Sequence, residues 1–192
     1  MTQLSLFSAD LTSPVGDDLG GLLAANGQLE VTADGVRLVI RLADDWRARA
    51  LIRECRVRDV EAHVDLDDRV TVLRTDPAPV LAQLSDRWLD GAVKVAPPEV
   101  ELSAGWMRCW AIAAGRPGPV GYLLGLDPQT PDIHESLAGC CAAIGLAGSL
   151  VGPAAGGPAM RIVGLRRCTR LADMVGTPPP EAPPGLFPRS AH

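Results

Sequence analysis

The two halves of this sequence show the same order of patterns. In each half, an apolar run rich in Gly and Ala stops at a glycine and leads into a strand pattern. The first run stops at Gly27 before a strand at 36–42, and the second stops at Gly115 before a strand at 120–126. The two glycines are 88 residues apart in a chain of 192. This internal repeat predicts two similar structural units.

The remaining patterns also correspond between the halves. The first half continues with a helix, two strands and a helix, predicted at 44–59, 60–66, 69–74 and 78–89. The second half continues with a helix, a strand and a helix, predicted at 130–151, 159–166 and 167–176. A further strand is predicted at the Ala147–Gly152 end of that first helix. Each half therefore reads α-β-(β)-α-β-β-α, with an optional second strand in brackets, and the fold class is predicted as α+β.

Small residues line the helix that opens each half. They allow two helices to approach closely along their backbones, as a central helix pair requires. In the alternative interpretation, these are ordinary amphipathic helices that pack elsewhere. The central pair would bring together Gly20, Gly21, Ala24 and Ala25 of the first half with Ala111, Ala113 and Ala114 of the second.

Composition divides the chain into five segments. The folded body consists of two repeats, 16–90 and 105–176, joined by a linker at 91–104 that contains the stiff pair Pro97-Pro98. A flexible N-terminal tail is expected at 1–15. Because residues 177–192 are rich in proline, we expect a disordered C-terminal tail there.

Charge and cysteine content limit the environment and the partners. The formal net charge is −5 and the isoelectric point about 5.1, so any contact with a phosphate backbone must be local. Five cysteines without a CxxC spacing indicate a reducing cytoplasm, and the pair Cys140-Cys141 is interpreted as buried. No signal segment is recognised at the start, and the uncharged stretch 136–160 is interpreted as a buried helix and loop. We therefore expect no membrane association.

The run LGGLLAANG resembles the helix motif of the LAGLIDADG homing endonuclease family. It matches that motif at Leu19, Gly21, Leu22, Ala25 and Gly27. The second copy, MRCWAIAAG, keeps only Ala113 and Gly115. The resemblance, which extends over about 17–176 by element order, is shared with the degenerate LAGLIDADG unit of the WhiA sporulation regulators. It implies two pseudo-symmetric LAGLIDADG-like repeats packed on a central helix pair.

The family's nuclease activity needs an acidic residue just before the last motif glycine, where carboxylates hold divalent metal. Those positions are Asn26 and Ala114 in this chain. We therefore expect no catalytic residues, no metal, no cofactor and no cleavage. The alternative is a residual metal-dependent nuclease that uses Asp17, Asp18 or Glu30.

The resemblance also implies a sheet saddle on duplex DNA. In the strand at 36–42, apolar residues alternate with Arg37, Val39 and Arg41, so the arginines share one face. Solubilising surface arginines are the alternative interpretation. WhiA-like regulators also carry a helix-turn-helix module, for which this chain has no room. The predicted DNA-contacting residues are Arg37, Arg41, Arg69, Arg74, Arg161 and Arg166.

The N-terminal run QLSLF resembles the pentapeptide with which bacterial proteins bind the sliding clamp. All five positions agree with the pattern: Gln3, Leu4, Ser5, Leu6 and Phe7. In such peptides the last two side chains enter an apolar pocket, and the glutamine forms a hydrogen bond. The alternative is an edge strand or a hydrophobic staple on the folded body.

Together these patterns give two functional hypotheses. The first is a non-enzymatic accessory protein of bacterial DNA replication or repair, which binds the beta sliding clamp of DNA polymerase III and holds duplex DNA. The second is a WhiA-like DNA-binding transcriptional regulator. Both hypotheses imply a cytoplasmic, nucleoid-associated protein.

Overall fold

The computed structural model describes residues 8–189, except 68, 98, 153 and 155. A 3-10 helix, Gly16–Leu19, leads into the first repeat. The elements of that repeat are α1 (Gly20–Ala24), β1 (Gln28–Thr32), β2 (Gly35–Leu42), α2 (Asp45–Arg56), β3 (Ala62–Asp67), β4 (Val70–Thr75) and α3 (Pro79–Trp88). A short hairpin, β5 (Leu89–Asp90) and β6 (Val93–Lys94), follows it.

The second repeat has the same order of elements. It consists of α4 (Ala104–Ala114), β7 (Gly115–Pro117), β8 (Tyr122–Gly125), α5 (His134–Ala143), β9 (Ser149–Val151), β10 (Ala159–Ile162) and α6 (Leu165–Val175). The α-β-β-α-β-β-α prediction is confirmed for both repeats, including the strand expected near 147–152. The predicted helix 130–151 is too long, because α5 ends at Ala143 and β9 begins six residues later.

Each repeat forms an antiparallel four-stranded sheet. The strand order is β1-β2-β4-β3 in the first sheet and β7-β8-β10-β9 in the second, so the two sheets are topologically equivalent. In β2, Val36, Leu38, Ile40 and Leu42 are buried on one face, as the alternation predicts. The opposite face of the strand carries Arg37, Val39 and Arg41.

The helices α1 and α4 pack against each other, as the small-residue pattern predicts. A Cβ at Gly21 would lie 2.2 Å from the backbone oxygen of Trp106, so only glycine allows this approach. The predicted alanine partners are wrong for Gly20 and Gly21. Gly20 and Gly21 face Trp106, Cys109 and Trp110 rather than alanines, whereas Ala25, Ala113 and Ala114 line one pocket at the C-terminal ends of the helices.

The core of the molecule continues from the helix pair into both repeats. Trp106 and Trp110 of α4 meet edge to face, with ring centroids 5.4 Å apart. The indole Nε1 of Trp110 donates to the backbone oxygen of Gly125 at 2.7 Å, which satisfies its polar atom. One hydrophobic cluster includes buried residues of both repeats, so the two sheets share a core.

The Pro-rich C-terminal segment is packed where it is described, and the prediction of disorder there is wrong. Phe187 is 2% exposed, and Tyr122 donates its hydroxyl hydrogen to the backbone oxygen of Leu186 at 2.9 Å. Glu181 forms an ion pair with Arg53 of the first repeat. Proline already restricts the backbone, which lowers the entropy cost of ordering the segment, and the Leu-Phe pair supplies an apolar anchor.

The described part of the N-terminal tail, 8–15, also contacts the body. Ser8 is buried, and the Ala9 amide donates to the backbone oxygen of Met174 at 2.8 Å. The Asp10 carboxylate accepts hydrogen bonds from the amide and hydroxyl of Thr177 at 2.7 and 2.8 Å. This stretch belongs to the segment 1–15, which was expected to be a flexible tail.

The cysteines and the uncharged stretch behave as structural elements. Cys55, Cys109 and Cys141 are fully buried thiols, and Cys140 is half-buried. Burial raises the pKa of Cys55 and of Cys141 to about 12. Over the described part of the chain, no helix is both long and apolar enough to cross a membrane.

Candidate nucleic-acid interface

Each sheet has one face that points away from the shared core. We call the one on β1–β4 the first sheet face and the one on β7–β10 the second sheet face. Cross-strand register places residues from all four strands on the first sheet face: Gln28, Glu30, Arg37, Val39, Arg41, His63, Asp65, Asp67, Val70, Val72 and Arg74. The corresponding register places Arg116, Leu123, Gly125, Ser149, Val151, Ala159 and Arg161 on the second sheet face.

Two of the three arginines of the first sheet face, Arg41 and Arg74, are paired with carboxylates of the same face. Arg74 lies between two of them, with its Nε 3.4 Å from Asp65 and its Nη1 3.8 Å from Glu30. Arg41 lies 3.6 Å from Asp67, and both side chains are at least half exposed. The first sheet face therefore carries three arginines and three carboxylates, and its charges compensate locally.

The second sheet face carries Arg116 and Arg161 and has a different balance. By sequence, the strands β7 to β10 contain no Asp or Glu. Arg161 is exposed at the centre of this face, opposite Leu123 and Ser149 in the register. Arg116 donates to the backbone oxygen of Gly156 at 3.4 Å. The face is therefore positively charged on its own strands.

The two faces meet at a pocket of about 300 Å³ at the C-terminal ends of α1 and α4, which we call the central pocket. Asn26 and Ala114, the positions expected to be acidic in the nucleases, both line it. Three arginines line it as well: Arg41, Arg47 and Arg116. Among the described residues that form its wall, none is a carboxylate.

Arg47 is the most constrained of these arginines. Its guanidinium donates to the backbone oxygens of Ile112 and Gly115 at 2.6 and 2.7 Å, and its Nε donates to Asp44 at 3.1 Å. The guanidinium also lies over the Trp46 ring, 4.7 Å from the centroid. Arg47 thus supplies the donors that the C-terminal carbonyls of α4 lack, at the negative end of the helix dipole.

The only lysine of the chain performs the same task for α1. The Lys94 Nζ donates to the backbone oxygens of Leu23 and Gly27 at 2.8 and 2.9 Å and lies 2.5 Å from Asp127. Burial lowers the pKa of Lys94, and the Asp127 carboxylate opposes that shift. Gln28 donates to the same carboxylate at 2.8 Å.

The aspartates that hold these two cations are related by the internal repeat, whereas the cations themselves come from different elements, α2 and β6. Asp44 and Asp127 each lie two residues after the end of a corresponding strand, β2 or β8, and each holds a buried cation. Arg47 is held by Asp44 of the first repeat and covers the C-terminal end of α4 in the second repeat. Lys94 is held by Asp127 of the second repeat and covers the C-terminal end of α1 in the first repeat. Sequence reasoning missed this arrangement. The one available signal was an isolated lysine in a segment predicted to be a linker.

The remaining predicted residues divide between these surfaces and other places. Asn26 uses its side-chain amide on the backbone oxygen of Arg41 at 3.1 Å. Arg69 lies in the turn between β3 and β4, with φ of 68°. The strand predicted at 159–166 ends at Ile162, so Arg166 lies in the first turn of α6 and lines a different cleft, with Thr12 and Met174.

The carboxylates considered for a residual nuclease lie outside the central pocket. Asp17 is 2.6 Å from Arg87, and Glu30 pairs with Arg74. Asp18 is buried, where it accepts from Arg58 at 2.8 Å. Among the residues that the structure describes, no group of three or more His, Cys, Asp or Glu is arranged to hold a metal ion.

The five residues of the QLSLF motif, 3–7, lie outside the described residues. The first described residue, Ser8, follows them directly and is 1% exposed. The residues that directly follow the motif are therefore attached to the body beside the C-terminal end of α6. Ala9 and Asp10 continue this attachment through their hydrogen bonds to Met174 and Thr177.

Comparisons with known proteins identify the fold. No protein-family profile and no curated protein matches the sequence. The N-terminal LAGLIDADG domain of DUF199/WhiA is similar in structure, with a TM-score of 0.57 and 12% identity over 85% of this chain and 81% of that one. The homing endonuclease I-WcaI, solved bound to its DNA recognition sequence, gives a TM-score of 0.62 at 10% identity over 90% and 87%.

Full-length DUF199/WhiA from Thermatoga maritima is also similar, with a TM-score of 0.57 at 13% identity. The match covers 85% of this chain but only 55% of that protein. At such identities, the similarity establishes the fold alone. The chain therefore has a LAGLIDADG-like α+β fold, in which two equivalent repeats pack on a central helix pair.

Proposed function

We propose that this protein binds duplex DNA on its two sheet faces and does not cleave it. The observation that carries the proposal is the lining of the central pocket, where three arginines make the meeting point of the two faces positively charged. Arg41 and Arg47 contribute to this charge rather than direct phosphate contacts, because Asp67 lies 3.6 Å from Arg41, and backbone oxygens and Asp44 occupy Arg47. Similar structures include an endonuclease solved with its DNA recognition sequence. A chain with this fold and a basic centre is suited to a phosphate backbone.

The donor chemistry of the central pocket does not suit a divalent metal. Magnesium and calcium are bound by oxygen ligands, with carboxylates supplying the compensating charge. The described lining offers the Asn26 amide as a neutral side-chain donor, and its arginines repel a divalent cation. We therefore derive no metal-dependent step from this pocket.

The test combines binding and cleavage in one preparation. Fluorescence anisotropy with a labelled duplex, at low salt, should detect binding in EDTA that is at least as tight as binding in magnesium, because magnesium competes for the phosphates. Incubation with supercoiled plasmid in magnesium or manganese should leave the plasmid intact. Nicking that depends on the metal, or duplex binding that requires it, would contradict the proposal.

A second function is proposed for the N-terminus, namely binding of the bacterial sliding clamp through residues 3–7. The supporting observation is that Ser8 and Asp10 attach the chain to the body immediately after the motif. A short peptide of this kind has modest affinity, on the order of micromolar, but gains from simultaneous DNA binding. We place both activities in the bacterial cytoplasm, on the nucleoid.

Co-elution with the purified beta clamp tests this second function. The double substitution Leu6→Ala and Phe7→Ala should abolish co-elution, because it removes the apolar end of the motif. Leu11→Ala is the matched control, since Leu11 is an exposed leucine just beyond the motif. If the unmodified protein, the double variant and Leu11→Ala co-elute with the clamp equally, clamp binding through residues 3–7 is rejected. Sequence-specific binding to promoter DNA that is insensitive to these substitutions would favour the WhiA-like regulator.

A further inference from the structure

We propose that the phosphate contacts of a bound duplex are made by the second sheet face, and that the first sheet face is not a phosphate-binding surface. This inference rests on the proposed function, because it assigns the affinity for DNA to one of the two repeats. Among the arginines predicted from the sequence to contact DNA, the inference assigns phosphate binding to Arg161 and not to Arg37, Arg41 or Arg74.

Two of the three arginines of the first sheet face already pair with carboxylates, and the third, Arg37, is half-buried and lies opposite Glu30 in the register. A phosphate that approached Arg74 would have to displace Asp65 or Glu30, which lie 3.4 and 3.8 Å from the guanidinium. A phosphate at Arg41 would meet Asp67 at the same guanidinium. Since each displaced carboxylate would remain nearby and repel the phosphate, the electrostatic gain from the contact would largely cancel.

On the second sheet face, Arg161 forms no ion pair with any carboxylate that the structure describes, so a phosphate would displace none of them. Its neighbours in the register are Leu123 and Ser149, which are uncharged. The carboxylates of the second repeat, Asp127, Asp132, Glu135 and Asp173, all lie outside the four strands. Of these, Asp127 is buried and occupied by Lys94.

The surrounding charge favours the same assignment. Residues 16–90 contain 15 carboxylates and 10 arginines, a net charge of −5. Residues 105–176 contain four carboxylates and six arginines, a net charge of +2. The long-range field of the first repeat therefore repels a polyanion, and that of the second attracts it.

The experiment measures duplex affinity and its salt dependence for matched variants of the full chain. Arg161→Gln should weaken binding about fivefold and reduce the magnitude of the salt slope by about one, the value expected for one lost phosphate contact. Arg74→Gln is the control from the first sheet face and should change affinity less than twofold. Circular dichroism melting curves check that both proteins are folded.

A second variant tests the reason for the difference. The double substitution Glu30→Gln and Asp65→Asn frees Arg74, and should strengthen binding about threefold while steepening the salt slope by about one. Equal weakening by Arg74→Gln and Arg161→Gln would overturn the inference and leave DNA binding itself intact. An unmodified protein that binds no duplex would reject the proposed function, and the inference with it.

Discussion

The first repeat builds its sheet from strands of five to eight residues, whereas the second repeat uses strands of three or four. The longer sheet pairs Arg41 and Arg74 with carboxylates, whereas the strands of the shorter sheet carry arginines and no acidic residues. One topology thus carries two different surfaces. The two repeats therefore share the helix pair and the strand order but differ in the charges on their sheet faces.

The two buried cations provide the largest expected effect. Lys94→Met leaves Asp127 buried without its cation and should lower the free energy of unfolding by about 3–5 kcal/mol. Arg47→Met should cost less, about 2 kcal/mol, because Asp44 is 45% exposed and can be hydrated by solvent. Urea denaturation measures both. Equal losses would show that the two helix ends do not differ in the way that burial predicts.

The helix pair gives the next effect. Gly21→Ala forces a Cβ to within 2.2 Å of the Trp106 carbonyl oxygen, so α1 must move away from α4, at a cost of about 3 kcal/mol. Gly139→Ala on α5 of the second repeat is the control. No atom lies within 4 Å of a Cβ there, so stability should rise by up to about 1 kcal/mol. A stable, unchanged Gly21→Ala protein would contradict the close helix approach.

The C-terminal segment contacts both repeats, and substitutions in it should lower the free energy of unfolding by less than Gly21→Ala does. Phe187→Ala removes a buried ring beside Arg108, and should cost about 2 kcal/mol in urea denaturation. Arg189→Ala is a control at the end of the described chain and should have little effect. If Phe187→Ala leaves stability unchanged, the segment does not contribute to the fold.

The sequence predicted the topology well, because alternation in β2 and the two glycine-stopped helices reflect local rules of strand and helix formation. It could not predict the ion pairs. Arg74 and Asp65 are nine residues apart in a hairpin, but Glu30 reaches the same guanidinium only through the sheet order. Lys94 and Asp127 likewise meet only after the repeats pack.

The packed C-terminus and Arg166 show two further limits. Proline content predicts a lack of regular secondary structure, but it does not determine whether Phe187 finds an apolar site on the body. Arg166 follows the strand pattern in sequence, yet Gly164, with φ of 95°, ends the extended chain and α6 begins at the next residue. Because the extended chain ends at Gly164, Arg166, which was predicted to contact DNA from a strand, lies on a helix instead.

The smallest expected effect is the loss of unfolding free energy at alkaline pH. Each repeat contains a buried thiol, so this effect can be compared between the two repeats. Burial raises the pKa of Cys55 to about 12, so the folded protein retains a proton that the unfolded chain releases near pH 9. The stabilisation is complete below pH 9 and is lost as the pH rises towards 12, at up to about 1.4 kcal/mol per pH unit. The stability difference between the parent protein and Cys55→Ala should therefore narrow by about 1 kcal/mol between pH 8.5 and 10.

Cys141 is the counterpart in the second repeat, and burial raises its pKa to about the same value. Cys141→Ala should show the same narrowing in denaturation curves across this pH range. A change for one thiol alone would indicate that the two sites are not equally buried in solution.

The salt dependence of duplex binding by the unmodified protein tests the difference between the sheet faces most directly. If Arg116 and Arg161 make the phosphate contacts, the logarithm of the association constant should fall with the logarithm of salt concentration with a slope of about −2. A slope of about −4 to −5 would mean that the arginines of the first sheet face also bind phosphates, and would contradict the account.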